Sequence, residues 1–352
     1  LWTAPDDVEK ALGEKAGAKL NSILGDAPSL VFKLIEKYNM SCEVSKAGTL
    51  HLGHSKTGIK DLNSRAGQWQ KRGAPVRMLG AGETEGLTGS TRYKASLLDE
   101  RAGTINPMGY VRGLAHAAIK AGAKVYTKSP VISFNNADGK WHIKTDNGAV
   151  VAEKVIMAVN AYGGKLAAEL DHSYVPICFS QFATAPLPDD LCKTILPKGH
   201  GTWDTGKIMR SYRMDMDGRL ILGTMGKLPK SNPSYLSRWA SETIAEIFPQ
   251  LGVVSWQESW DGVIAYTPDH MPRLHMLGDN MIIAMGYNGR GIGPGTAFGK
   301  AMADYFTTGD PGHLPIPLTK PANVNLRSWK SRFYEAASQA EHRFGLFSRV
   351  GM

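Results

Sequence analysis

The sequence predicts a mixed α/β protein, α+β in its details, in which helices alternate with strands and much of the sheet is antiparallel. Three observations carry this. Capped or amphipathic stretches alternate with short strand-like runs along 352 residues without an internal repeat. The run "KVIMAVN" is almost unbroken in its apolar character, as expected of a strand covered on both faces. Finally, Asp138-Gly139, Asn147-Gly148 and Asp217-Gly218 are tight-turn dipeptides between strand-like runs, which marks hairpins.

The elements follow in order. Thr3, with Pro5, Asp6 and Asp7 behind it, reads as an N-cap and an acidic first turn opening a helix to about Leu24. "APSLVFKLIEKYN" makes a second helix, and "GTLHLGHS" a short alternating strand followed by a polar helix. In "VRMLGAGETEGLTG" a strand meets Gly80 and Gly82, but the third glycine, Gly86, falls one place late for a dinucleotide fingerprint, so a turn into a short helix is expected. The next stretch predicts a helix with an apolar face of Val111, Leu114 and Ala118, then an edge strand, then an antiparallel run ending in the small-residue turn Asn160-Ala161-Tyr162-Gly163. "KIMRSYRMDMDGRLILGTMG" is a hairpin and "NPSYLSRWASETIAEIFPQL" an amphipathic helix. "SWQESWDGVIAYTPDHMPRLHML" is a strand broken at Thr267-Pro268-Asp269, and the tail after Asp310 reads as a peripheral arm and helix.

Composition narrows the function classes. With 42% apolar residues the chain can bury a full core, and its net charge of +9 is scattered, without the basic run that a nucleic-acid stripe would show. Cys42, Cys178 and Cys192 stand far apart, with no spacing suited to a metal site or a disulfide framework, so no metal is expected and a reducing, cytoplasmic compartment fits. No apolar run approaches the ~18 residues of a membrane helix. The ten histidines are dispersed, and no Ser/His/Asp or paired-carboxylate pattern stands out.

The most informative stretch is "MIIAMGYNGRGIGPGTAFGKAMADYF", in which five glycines fall within ten positions between a strand-like and a helix-like run. A helix start packed by glycine needs one glycine. Five imply that backbone N–H groups must come close to something, which side chains would prevent.

Together with "GTINPMGYVRGLAHAAIKAGAKVYTKSPV", "KVIMAVNAYGG" and "WDGVIAYTPDHMPRL", this stretch resembles the FAD-dependent oxidoreductases of the D-amino-acid oxidase superfamily. Within it the chain looks most like the branch of sarcosine and glycine oxidases, gamma-glutamylputrescine oxidase and L-pipecolate oxidase. The resemblance implies a FAD-binding, Rossmann-like domain interleaved with a mainly antiparallel substrate domain. Its segments would be a helical segment at 1–43, substrate-domain parts at 44–100 and 171–255, FAD-domain parts at 101–170 and 256–310, and a C-terminal arm at 311–352. The family begins with a strand, a GxGxxG turn and a helix that hold the FAD pyrophosphate, and no such unit occurs here. Either a preceding segment that supplies it is lost, which is the expectation, or the protein lacks half its cofactor grip, and a sheet without that strand would then expose a core face and make the chain poorly soluble or dependent on a partner.

Carried over by position, the resemblance gives Val131 a backbone contact to the adenine, and places Ala158, Asn160 and Ala161 where the sheet closes near the ribose and pyrophosphate. Gly286, Asn288, Gly289, Arg290, Gly291 and Ile292 match the loop that approaches the isoalloxazine, where N–H groups and a helix N-terminus stabilise the negative charge of the reduced ring. No Cys or His stands where covalent attachment would need it, so noncovalent FAD is expected. The implied reaction is oxidation of a C–N bond to an imine by hydride transfer to flavin N5, on an amine or amino acid, a secondary amine included, with O2 or an electron-transfer acceptor as oxidant. Glycine-oxidase-like members hold the substrate carboxylate with an arginine on the strand matching "DGVIAY"; here that strand offers Val263, Ile264 and Tyr266 instead. Arg290, Arg213, Tyr212 and Tyr266 are therefore the substrate-side candidates. The alternatives are a structural or electron-transferring subunit of a heteromeric amine dehydrogenase, and a nicotinamide-dependent dehydrogenase using "LGAGETEG".

Overall fold

The computed structural model describes residues 1–228 and 234–345. The chain folds into two compact units, each assembled from three segments. The first comprises Leu1–Met40, Val111–Pro176 and Val263–Ser331, the second Ser41–Tyr110, Ile177–Gly262 and Arg332–Met352.

In the first unit, helices α1 (Pro5–Leu12) and α2 (Glu14–Tyr38) divide at Gly13, not after Leu24. Gly13 has φ 82 and ψ 152, a conformation open essentially to glycine alone. Pro28, which reads as the start of a second helix, lies inside α2. The apolar stripe Leu20, Ala27, Val31 and Ile35 runs straight past it into the core, and that burial outweighs the one backbone bond the proline removes. Ala4, not Thr3, caps α1, and the Thr3 hydroxyl donates to the Asp269 carbonyl at 3.1 Å. Gly17 lets the two helices fold together, since a Cβ there would stand 2.3 Å from Glu9 Cα.

Two small sheets complete this unit. Strand β14 (Met281–Met285), buried along its whole length, pairs parallel with β7 (Val155–Met157) and antiparallel with β13 (Arg273–Met276), and it leads toward α9 (Ile292–Thr308). Strands β4 (Val131–Ala137), β5 (Lys140–Thr145) and β6 (Gly148–Ala152) form an antiparallel meander. Its first turn is Asp138-Gly139, both with positive φ; the second lies at Asp146-Asn147, one place before the predicted dipeptide, because Gly148 already pairs with Thr145.

Helix α5 (Pro107–Lys120) forms, but its expected buried face does not: Val111 is 57% exposed and Ala118 is exposed as well. The edge strand expected after α5 is missing too; residues 123–127 have no strand structure, and Tyr126 is 70% exposed. On β7, Ile156 is also exposed, so that strand is not covered on both faces. The reason is common to the last two. A strand exists only with a hydrogen-bonded neighbour, and among the described residues β7 has only β14 beside it while 123–127 has none.

The second unit is built on an eight-stranded sheet in the order β12 (Trp256–Tyr266), β8 (Val175–Thr184), β11 (Leu220–Met225), β10 (Arg210–Met214), β9 (Gly201–Asp204), β1 (Thr49–Leu52), β3 (Ser96–Asp99), β2 (Val76–Leu79). Strand β12 runs on into the first unit at Val263. The pairing is antiparallel from β8 to β9 and from β1 to β2, and parallel between β1 and β9. Strand β1 therefore lies inside the sheet, with Leu50 and Leu52 fully buried and His51 between them less so, the expected alternation. Helices α3 (Lys56–Lys71) and α4 (Ala81–Thr88) flank β1 and β2, and α4 confirms the reading of Gly80 and Gly82 as a turn into a short helix. The short helix α7 (Asp189–Cys192) occupies a connection here, as α6 (Ala168–Asp171) does in the first unit. Helix α8 (Ser234–Ile247) lays Leu236, Trp239, Ala240 and Ile244 onto a core shared with Leu50, Leu52, Phe182, Leu220 and Leu222; Asn232 and Pro233, its expected first residues, lie outside the described residues.

The C-terminal helix α10 (Arg327–Phe344) is not peripheral. Its buried Glu341 pairs with the buried Arg210 at 3.4 Å, and His342 Nε2 lies 3.3 Å from the Thr224 hydroxyl. Among the described residues, no helix is long and apolar enough to cross a membrane.

Candidate active site at the glycine loop

The loop between β14 and α9 is shaped by left-handed backbone. Gly286, Asn288 and Gly289 have φ of 76, 52 and 84. Only glycine tolerates such angles freely, and asparagine follows it, which explains the "GYNG" composition locally. Two neighbours add steric reasons: a Cβ on Gly286 would stand 2.8 Å from Thr267 Cγ2, and one on Gly289 would stand 3.1 Å from Ile264 Cδ1. Glycine at these two positions thus serves the fold itself.

Gly291 is different. Its φ is −93, a Cβ there would meet nothing closer than 4.0 Å, and the residue is exposed. No side chain caps this helix of 17 residues, and because Pro294 has no N–H and the Gly295 N–H donates to the Gly291 carbonyl at 2.7 Å, Ile292 and Gly293 are the first-turn N–H donors left facing outward. Bare backbone, a positive helix end and free space are what a planar group with an anionic edge requires. The donor set therefore fits a flavin ring edge.

Asn288 locks the loop from within. It is 7% exposed; its Oδ1 accepts the Thr267 N–H at 2.8 Å, and its Nδ2 donates to the Gly286 carbonyl at 2.6 Å and to the Thr267 hydroxyl at 3.0 Å. Asn160 ties in a second segment. It stands just past β7 with φ 46, and its Oδ1 accepts the Gly286 N–H at 3.2 Å. The turn carrying Ala158, Asn160 and Ala161 is thereby joined to the glycine loop. Val131 opens β4, half-exposed, above a register shift between Val131 and Ser133.

Arg290 is held by the start of the chain. Its guanidinium lies 3.8 Å from the centroid of the Trp2 ring and donates to the Leu1 carbonyl at 3.0 Å, while Trp2 Nε1 donates to the Asn288 carbonyl at 2.7 Å. Tyr266 ends β12, and its hydroxyl lies 2.6 Å from His270 Nε2. Tyr212 and Arg213 belong to the second unit. Tyr212 is 1% exposed, packs edge-on against Phe248 within the main core, and burial pushes its phenol pKa well up; this is the environment of a packing residue. Arg213 points to the opposite side of β10 by strand alternation, and burial lowers its pKa against the raising effects of Asp215 and Glu43. Among the described residues, no group of three or more His, Cys, Asp or Glu is placed to hold a metal ion.

Sequence reasoning missed Thr267, Trp2 and His270. Thr267 had a signal, the strand break at Thr267-Pro268-Asp269, whereas nothing near Trp2 indicates a partner 286 residues away.

Residues 9–305 match the sequence profile described as FAD dependent oxidoreductase, DAO. The chain belongs to this FAD-dependent oxidoreductase family. Among its relatives is the gamma-glutamylputrescine oxidoreductase of Escherichia coli (strain K12), 27% identical over 340 residues, with 94% of this chain and 79% of that one covered. The glycine oxidase of Geobacillus kaustophilus is 24% identical over 295 residues, with coverage of 79% and 74%. Among solved structures, L-proline dehydrogenase from P. horikoshii superposes with a TM-score of 0.72 at 20% identity, covering 83% of this chain and 81% of that one, which establishes a shared fold. As a member of this family the protein is a FAD-dependent oxidoreductase, and the nicotinamide alternative falls away: Gly80 and Gly82 open helix α4 as a plain turn.

Proposed function

We propose that this chain oxidises the C–N bond of a small amine or amino acid, with secondary amines as the favoured class, using noncovalently held FAD. The observation that carries the reading is the bare backbone at Gly291 and the uncapped start of α9, in a chain of the FAD-dependent oxidoreductase family. The relatives named for gamma-glutamylputrescine, glycine and proline support the substrate class. A non-catalytic subunit has no counterpart among them.

The residues that would hold the cofactor are Val131 through its backbone, Ala158, Asn160 and Ala161 where small side chains allow close approach, and the loop of Gly286 and Asn288–Ile292, in which the Gly286 and Arg290 N–H groups serve the loop itself and the Gly291 and Ile292 N–H groups would face the cofactor. FAD, once bound, supplies the acceptor for the hydride leaving the carbon next to nitrogen. The chain's part is orientation and charge: N–H groups of the loop and α9 balance the negative charge that develops beside them, and Arg290, fixed on Trp2, adds a cation to the same loop. Tyr266, on the same unit as the loop, is the candidate for the wall of the amine pocket.

Val111, Ile119, Val125, Tyr126 and Ile156 are exposed apolar residues of the first unit. A strand–turn–helix dinucleotide unit of the kind the family resemblance implies would cover these residues and grip the pyrophosphate. Three free thiols suit a reducing cytoplasm.

The test is anaerobic mixing of the holoenzyme with glycine, sarcosine, L-proline and gamma-glutamylputrescine. Bleaching of the flavin spectrum by at least one of them is expected, and peroxide released on aeration then identifies O2 as acceptor. A holoenzyme bleached by none would overturn the proposal.

A further inference from the structure

Tyr266 and His270 form a phenol–imidazole pair at the glycine loop. Ile264 Cδ1 reaches to within 3.1 Å of the place where a Cβ on Gly289 would stand, so its face of β12 is turned to the loop. Side chains two apart on a strand share a face, which puts Tyr266 on the same side, while Ala265 between them is fully buried in the opposite core.

At the end of the strand the chain turns tightly: the His270 N–H donates to the Thr267 carbonyl at 2.9 Å, and His270 takes φ 57. A left-handed histidine is an uncommon, mildly strained conformation that the surroundings must enforce. Here the enforcement comes from Thr267, whose N–H donates to Asn288 and whose hydroxyl donates to the Met271 carbonyl at 2.8 Å. The result is that the imidazole folds back onto the phenol, Nε2 to hydroxyl 2.6 Å and ring centroids 4.9 Å apart at 73°. Both side chains remain partly exposed. The same hydrogen-bond network that fixes the pair fixes the glycine loop.

We infer that Tyr266 and His270 act as a proton relay for the substrate amine, with Tyr266 touching the substrate nitrogen and His270 as the residue that positions the phenol and receives the proton. The inference rests on the amine-oxidation reading. An amine reaches the site largely as its ammonium and must lose a proton before its lone pair can assist oxidation. The ammonium proton passes to Tyr266 Oη as the phenol proton passes to His270 Nε2. One N–H and one O–H bond break, one O–H and one N–H bond form, the positive charge moves from substrate to imidazole, and no electrons change hands. The charged groups of this turn and loop are already engaged: Asp269 pairs with Arg273 at 2.7 Å, and Arg290 stacks on Trp2. The relay is thus the proton path that the local geometry offers.

The experiment compares the wild-type holoenzyme with Tyr266→Phe, His270→Asn and His270→Gly, the last two chosen because both residues accept a left-handed φ. With an amine that bleaches the wild-type flavin, Tyr266→Phe and His270→Asn should lower the limiting bleaching rate roughly a hundredfold, the range of a lost acid–base group, and remove its acid limb in a pH profile. FAD content should stay at the wild-type level. Imidazole added to the buffer should restore the rate of His270→Gly, which a purely structural histidine would not allow. Independently of turnover, the His270 Nε2 signal in 15N-histidine NMR should move in Tyr266→Phe. A wild type that oxidises an amine while His270→Asn matches it in rate and pH profile overturns the relay alone, as does an unmoved Nε2 signal. A wild type bleached by no amine overturns the underlying reading instead.

Discussion

Asn160 and Gly286 are joined by one hydrogen bond, side-chain Oδ1 to backbone N–H at 3.2 Å, between residues 126 positions apart. Both stand in left-handed backbone just beyond the C-terminal ends of the paired parallel strands β7 and β14. In parallel sheets this is the edge at which ligands bind. The bond therefore aligns the two turns that the family resemblance assigns to FAD.

Asn160→Ala removes the acceptor and the residue's tolerance of a positive φ. FAD affinity should fall about tenfold, the loss expected of one hydrogen bond of roughly 1.4 kcal/mol. Titration of apoprotein with FAD, followed by quenching of its fluorescence, measures this, and an unchanged dissociation constant would remove Asn160 from the site.

Gly289 and Gly291 separate folding from binding. Gly289→Ala places a Cβ at φ 84 against Ile264 and should cost about 1–2 kcal/mol, seen as a lower Tm. Gly291→Ala meets open space in a helical conformation, so stability should change by less than about 0.5 kcal/mol while the flavin is held less tightly. Equal loss of stability in both variants would contradict this division.

In the second unit, Arg210 and Glu341 pair while both are almost fully buried, with Glu246 a further partner at 3.7 Å. Arg210→Met alone leaves a buried carboxylate and should destabilise by about 3 kcal/mol or more. Adding Glu341→Leu should recover part of that, because it removes one of the two buried carboxylates that Arg210 offsets and leaves Asp204. Denaturant midpoints of the two single variants and the double variant give the comparison.

His342 sets a pH dependence. Burial first, and Arg210 second, push its pKa down from 6.5 to about 4. A group with a depressed histidine pKa is neutral in the native state, so its contribution is whole above pH 6.5 and is lost between 6.5 and about 4 as the unfolded chain takes up the proton. The displacement corresponds to roughly 3 kcal/mol. His342→Asn should therefore show a flatter Tm between pH 6.5 and 4.5 than the wild type; parallel curves would refute the assignment.

Much of this was legible in the chain. The glycine loop, the strand break at Thr267 and the turn at Asn160 were readable because each rests on local backbone chemistry. So was the antiparallel β-rich character, which follows from turn dipeptides and strand-length apolar runs. The break between α1 and α2 was misplaced, since Gly13 and Pro28 both signal an interruption and only the packing of Leu20, Ala27 and Val31 decides between them. The face of α5 and the strand after it were predicted from their own periodicity, which cannot report whether a neighbour is present to cover them.

The sequence by itself determined which backbone could turn left-handed, where strands must stop, and through those motifs the family. Only the tertiary structure decided that Asn160 meets Gly286, that Trp2 takes up Arg290, and that His270 returns to Tyr266. The physical reason is one of range: turn and cap preferences are set by a residue and its immediate neighbours, while a side-chain partner is chosen by whatever the packed core brings within ~3 Å, however distant in the chain.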